Sequence, residues 1–116
     1  MIKPLFWIGP TREVVRGFPA VVRQQVGFGL YLAQAGDIAV DARPVKGFGG
    51  GTVLEIRTSY RGDAFRTVYT VRFSDAVYVL HAFKKKSTKG IATPRREIEV
   101  IARRMKRAGD HDAERR

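Results

Sequence analysis

The sequence predicts an α+β domain, a small twisted antiparallel sheet with two helices before it and one after. Three observations carry this. The middle of the chain holds runs of β-branched and aromatic residues separated by short turn signals, which make neighbouring antiparallel strands. The segment before them places Val22, Val26, Leu30 and Ala33 at helical spacing. The segment after them places Ile98, Ile101, Ala102 and Met105 at i, i+3, i+4 and i+7, with arginine and lysine between. At 116 residues the chain is long enough for one modest core, so a single domain is expected over residues 1–109 with a flexible tail over 110–116.

The elements follow in order. Pro4–Ile8 is a short apolar run of strand length, broken by Gly9 and Pro10. Thr11 suits the N-cap of a short helix to Gly17, with Glu13 favourable in its first turn. Pro19 suits the first turn of a second helix reaching Ala35, where Gly36 stops it. Residues 36–51 read as a loop; the glycines at 49, 50 and 51 lack the Lys-Ser/Thr that a phosphate-binding loop requires. Val53–Thr58 reads as a strand with Leu54 and Ile56 on one face and Val53, Glu55 and Arg57 on the other. After a turn at Tyr60–Asp63, Ala64–Phe73 reads as the next strand. It puts Arg66, Val68, Thr70 and Arg72 on one face, and Phe65, Thr67, Tyr69, Val71 and Phe73 on the other. Ser74-Asp75 is a two-residue turn signal into Val77–Lys86. In that strand Val77, Val79, His81 and Phe83 alternate with Tyr78, Leu80 and Ala82, both sides mostly apolar, as in a central strand. Thr93 as cap and Pro94 as first residue open the last helix, which Gly109 ends.

Charge sets the function classes. The net charge is +11, and residues 84–116 hold twelve basic against five acidic residues, while residues 1–83 hold ten against six. Such concentration favours a phosphate-bearing or acidic partner. No apolar run approaches the ~18–20 residues of a membrane span, and no signal peptide is apparent. With no cysteine there is no disulfide or thiolate chemistry, which fits a reducing cytoplasm, and two histidines among scattered carboxylates make a metal site improbable.

The adjacent Lys84, Lys85 and Lys86, with Lys89 just beyond, end a buried strand although folding does not require them. They read as a polyanion site or, more blandly, as a guard against edge pairing. Arg57 and Arg66 lie on neighbouring strands and are expected to converge near them, with Tyr69 and His81 in nearby register. Guanidinium forks bind phosphate and aromatic rings such as Tyr69 or Phe83 stack on bases, so this set suits RNA. Arg61, Arg95 and Arg96 are further candidates for RNA contact. Each has a structural alternative: for Arg57 a simple pair with Glu55, for Tyr69 and Phe83 a place in the core, for His81 a packed and hydrogen-bonded histidine, and for the arginines of the last helix a solvated face. Arginine and lysine can also support attack by a 2′-hydroxyl, but the charge pattern does not separate cutting RNA from binding it.

Taken together, Leu54-Glu55-Ile56-Arg57, Arg66-Thr67-Val68-Tyr69, Val79 through Ser87 and Thr93 through Ile98, in this order and spacing, resemble the RelE/HigB superfamily of type II toxin–antitoxin toxins, in its phage-derived HigB-like branch. The resemblance spans residues 4–107. It implies a RelE-like fold and a metal-free, cofactor-free endoribonuclease that enters the ribosomal A site, cuts translated mRNA by 2′-hydroxyl attack and leaves a 2′,3′-cyclic phosphate. It implies as partner a helix-turn-helix antitoxin, through which operator DNA is bound. It carries phosphate binding and transition-state stabilisation over to Arg57 and Arg66, a substrate-facing aromatic to Tyr69, and the end of the last strand to His81, Phe83, Lys85 and Lys86, with Lys85 or Lys86 as base. Some relatives stack the substrate base on an aromatic near the C-terminus. This chain has no clear equivalent there, which leaves Tyr69 or Tyr60. The runner-up reading is a non-catalytic RNA-binding or phage-derived accessory protein on the same fold; a structural phage component would leave the cationic strand end unexplained.

Overall fold

The computed structural model describes residues 1–86 and 92–116, the side chain of Lys86 excepted. Eight elements follow in order: β1 (Leu5–Trp7), α1 (Thr11–Arg16), α2 (Ala20–Gln34), β2 (Ala42–Pro44), β3 (Val53–Tyr60), β4 (Asp63–Thr70), β5 (Val77–Lys86) and α3 (Arg95–Arg115). The sheet order is β1-β5-β4-β3-β2. The α+β class stands, with two differences in the sheet. β1 joins β5 in parallel, so the sheet is mixed, and β2 forms inside the stretch read as loop, pairing Ala42 with Ile56 and Pro44 with Leu54.

The sheet is covered on both faces. α1 and α2 cover one, where Val22, Val26, Leu30 and Ala33 of α2 meet Leu54, Ile56, Phe65, Tyr69, Val77 and Val79. On the other, Ile101, Met105 and Ala108 of α3 meet Val53, Val68, Tyr78, Leu80 and Phe83. α3 lies against β5, and the part of this second face built by β3 and β4 is covered by Val45 and Phe48 of the β2–β3 connection and by Thr93 just before α3.

A β-bulge corrects the expected alternation of β5. Val68 pairs with His81 and Tyr69 with Val79, so Leu80 has no partner across the ladder. The extra residue shifts the alternation by one. Val77 and Val79 face α2 and Tyr78 and Leu80 face α3, as period two demands, but beyond the bulge it is Ala82 that faces α2 while His81 and Phe83 face α3. β4 also ends at Thr70 rather than Phe73; just beyond it the Arg72 N–H donates back to the Thr70 hydroxyl at 3.1 Å, and residues 71–76, not a two-residue turn, lead into β5.

Three helix boundaries differ from expectation. Thr11 is the first residue of α1 and does not cap it; Pro10 precedes the helix, and the buried Thr11 hydroxyl has no hydrogen-bond partner among the described residues. Thr93 does not cap α3, since its hydroxyl donates to Glu55 Oε2 at 2.9 Å. Gly109 does not end α3, which continues through the stretch expected to be a tail. A helical glycine is unfavourable by about 1 kcal/mol, but the turns beyond it are anchored. His111 Nδ1 meets the Tyr78 hydroxyl at 2.8 Å, the Arg115 guanidinium lies 4.9 Å from the centre of the Phe6 ring, and the buried Asp112 carboxylate accepts from Arg115 and Arg116. No helix among the described residues is long and apolar enough to cross a membrane.

The β3–β4 hairpin turns on Arg61 and Gly62, with φ of 52° and 82° between the paired Tyr60 and Asp63. Two positive φ values are the signature of a type I′ turn, whose hand matches the twist of the strands. Arg61 occupies a conformation that disfavours a side chain by about 1–2 kcal/mol relative to right-handed backbone.

Two glycines of α2 are expected to respond oppositely to alanine. A Cβ at Gly29 would lie 2.8 Å from Ile56 Cδ1, in the sealed core, whereas nothing stands within 4 Å of one at Gly27. Gly27→Ala is therefore expected to stabilise by up to about 1 kcal/mol through helix propensity. Gly29→Ala is expected to destabilise by about 1 kcal/mol, because the cost of overpacking exceeds that gain. Urea midpoints of the two variants would decide it; a shift in the same direction for both would contradict this packing of α2 on β3.

Candidate nucleic-acid interface

The face of the sheet turned toward α3 carries three cross-strand rows. Glu55, Val68 and His81 form the first, Arg57, Arg66 and Phe83 the second, and Ser59, Ala64 and Lys85 the third. Neighbouring strands are about 4.8 Å apart, so the bulge, by resetting the end of β5, brings Lys85 onto the same face as the two arginines.

Glu55 organises this grid. Its side chain is wholly buried, and Oε1 accepts from Arg66 Nη1 at 2.7 Å and from Arg57 Nε at 3.0 Å, while Oε2 accepts from the Thr93 hydroxyl. A buried carboxylate is tolerated when charge partners and hydrogen bonds replace its water. With two guanidiniums on one carboxylate, the cluster keeps a net positive charge. The two arginines differ in access: the Arg57 side chain is 31 % exposed and the Arg66 side chain 6 %. Arg57 opens into a cleft of about 300 Å³ lined by Pro44, Val45, Lys46, Ala92, Thr93 and Ile98.

The other expected residues fall into three groups. Lys85 faces the grid, its ammonium donating to the Ala92 carbonyl at 3.1 Å. Lys84 points to the opposite face, 3.8 Å from Asp63 Oδ2. The side chain of Lys86, and Lys89 altogether, lie outside the described residues. Tyr69 is sealed on the α2 face, away from both arginines, so the expected convergence does not include it. Burial, with Asp41 adding to it, pushes its phenol up to about 12, and its oxygen has no hydrogen-bond partner among the described residues. Phe83 is buried, its ring 5.0 Å from that of His81, and offers no stacking face. Arg95 and Arg96 project from the exposed start of α3. Arg61 sits at the hairpin tip over the Tyr60 ring.

His81 is held by α3. Arg104 Nη1, which can only donate, lies 3.1 Å from His81 Nδ1, so Nδ1 accepts and the ring proton resides on Nε2, directed at Glu97 Oε1 at 2.8 Å. Burial lowers the imidazole below its ordinary value, against the pull of Glu97, and the charge of Arg104 adds to the lowering. These contacts match the packed, hydrogen-bonded histidine that the sequence left open. Lys46 and the organising role of Glu55 were missed. Lys46 lay in a stretch read as loop, although Val45 continues the β2 pairing by donating to the Val53 carbonyl at 2.9 Å. Among the described residues no group of three His, Asp or Glu side chains is placed to hold a metal ion.

This architecture is that of the RelE-like toxins. The chain superposes on the E. coli toxin RelE, an arginine-to-alanine double mutant in its free state, with a TM-score of 0.58 over 92 % of this chain and 98 % of that one, at 19 % identity. Residues 13–106 match the family of phage-derived Gp49-like proteins, and the chain belongs to that family, a family of RelE/HigB-type toxins. No curated protein matches the sequence significantly. Membership points to a toxin of the toxin–antitoxin kind, a family that implies an antitoxin partner.

Two outcomes test the grid. Glu55→Gln leaves Arg66 buried beside a neutral group and is expected to destabilise by about 3 kcal/mol, as breaking buried ion pairs does. A loss below about 1 kcal/mol in urea unfolding would show that the carboxylate does not organise the arginines. For His81 the folded pKa lies below the unfolded value of 6.5, so the unfolded chain binds the proton more tightly. Its contribution is complete above pH ~6.5 and is lost progressively as pH falls from there through the lower folded pKa. The melting temperature is expected to drop more between pH 7.5 and 5.5 in the wild type than in His81→Gln, and an equal drop in both would contradict it.

Proposed function

We propose that the protein is a metal-independent endoribonuclease that cuts mRNA in the ribosomal A site, the toxin of a type II pair neutralised by a helix-turn-helix antitoxin through which operator DNA is bound. The observation that carries this reading is the placement of Arg57, Arg66 and Lys85 on one face, with Arg57 open to a cleft and Lys46 on its rim. Family membership supports it, since RelE-like toxins are generally ribonucleases. The work is cytoplasmic, where translated mRNA is found.

The substrate 2′-hydroxyl attacks the adjacent phosphorus, the bond to the 5′-oxygen breaks, and a 2′,3′-cyclic phosphate and a 5′-hydroxyl result. Arg57 takes the phosphate and the charge that builds on its oxygens. Lys85 exchanges the proton, since arginine stays charged and His81 is committed to Glu97 and Arg104. Arg66, nearly sealed, acts through Glu55 by holding the carboxylate that aims Arg57. This sealing is also what favours the second reading, a protein that binds RNA without cutting it, because only one guanidinium of the pair is readily accessible.

Cleavage of mRNA in a reconstituted translation system, mapped by primer extension, separates the two. Arg57→Ala and Lys85→Ala are expected to lower cleavage by about 100-fold or more. Tyr69→Phe, on the far face, is expected to cut as the wild type does. A wild type that binds ribosomes and leaves mRNA intact would sink the enzymatic reading and leave the binding one. Arg66→Ala is a poorer probe, since it also disturbs the buried Glu55.

A further inference from the structure

The hairpin tip has a second, unassigned concavity on the opposite face of the sheet. A cleft of about 450 Å³ opens between the tip and the α1–α2 corner, where Tyr60, Arg61, Asp63, Phe65 and Lys84 meet Phe18. Its floor is aromatic, Phe18 and Phe65 packing edge to face at 4.9 Å. Tyr60 is half-buried at its side with the Arg61 guanidinium 5.2 Å from the ring centre. Lys84 is exposed, and its pair with Asp63, at 3.8 Å and open to water, is the kind that holds little.

Two features single this cleft out. Successive residues of one strand end serve both faces, Lys84 turning to this cleft and Lys85 to the arginine grid. Tyr60 follows Arg57 by three residues, about 10 Å along β3, so one extended strand of RNA can reach both sides of the rim. Arg61 is the second feature. It holds the left-handed place of a type I′ turn, where asparagine, aspartate or glycine is at ease. A long cation kept at a backbone position that disfavours it points to a use for the cation.

We propose that this cleft binds an unpaired nucleotide of single-stranded RNA flanking the segment held by the arginine grid. The base stacks on Tyr60 or on the guanidinium plane of Arg61, and the phosphate is taken by Arg61 and Lys84. Phe83 and Tyr69 are buried, and among the described residues Tyr60 supplies the aromatic surface beside the cationic strand end. The inference rests on the reading of the protein as an RNA-acting toxin, and Asp63 tempers the positive charge without cancelling it.

The test is binding of a labelled, unstructured ten-nucleotide RNA by the full chain, read by fluorescence anisotropy across a salt series, with the melting temperature measured in parallel. Arg61→Asn relieves the turn and removes the cation. It is expected to keep or raise the melting temperature while weakening binding at least five-fold and flattening the salt dependence by about 0.7 per lost phosphate contact. Lys84→Gln is expected to weaken binding similarly, and Tyr60→Leu, which keeps the packing, to weaken it without changing the salt slope. Wild-type affinity and slope in Arg61→Asn and Lys84→Gln, with Arg57→Gln still weakened, would overturn the cleft and leave the toxin reading intact. Weakened binding in the cleft variants of a protein that cuts no mRNA would keep the cleft and overturn the enzyme.

Discussion

The structure depends on one buried carboxylate. Glu55 sits in the middle of β3 with no contact with water, and three donors from three separate stretches of chain converge on it: Arg57 beside it, Arg66 on the next strand and Thr93 just before α3. The charge is tolerable only because all three arrive together. The same requirement couples the site to the fold, since the guanidinium that reaches the cleft is oriented by the group that ties the β3–β4 ladder to the start of α3. Candidate site and core are here one set of bonds.

Much of this was legible in the residues. The helical stripe of α2, the pairing of β3 with β4 and the apolar face of α3 follow from periodicity, because each buries one continuous face. Arg57 and Arg66 on facing strands were readable too, for a hairpin with so tight a turn leaves little choice of register. Long-range geometry was not readable. The bulge at Leu80 has no local signature, and it moves His81, Phe83 and Lys85 to the face they share with the arginines. Tyr69, by contrast, was excluded by the alternation itself: three steps from Arg66 along β4 is an odd number and puts it on the other face.

Capping signals misled for a related reason. Thr93 is well placed to cap α3, and a threonine there is worth about 1 kcal/mol to a helix. A buried carboxylate with a free lone pair is a stronger claimant, and the hydroxyl goes to Glu55. Gly109 similarly marks a stop only when nothing beyond it is held, and here His111, Asp112 and Arg115 are held. Local preferences decide a boundary when the tertiary structure has no stake in it.

Both ends of the chain close on β5. β1 pairs along its edge, and the last turns of α3 settle on Phe6 of β1 and Tyr78 of β5. A chain synthesised from its N-terminus can form α1, α2 and the β3–β4 hairpin as it emerges. It cannot give β1 its neighbour until β5 has appeared, nor bind Thr93 to Glu55 and seat α3 until the segment after β5 has been made. The arginine cluster is therefore unfinished until Thr93 has followed the hairpin. For a protein read as attacking translated messages, the site is closed by a segment made well after the strands that carry its arginines.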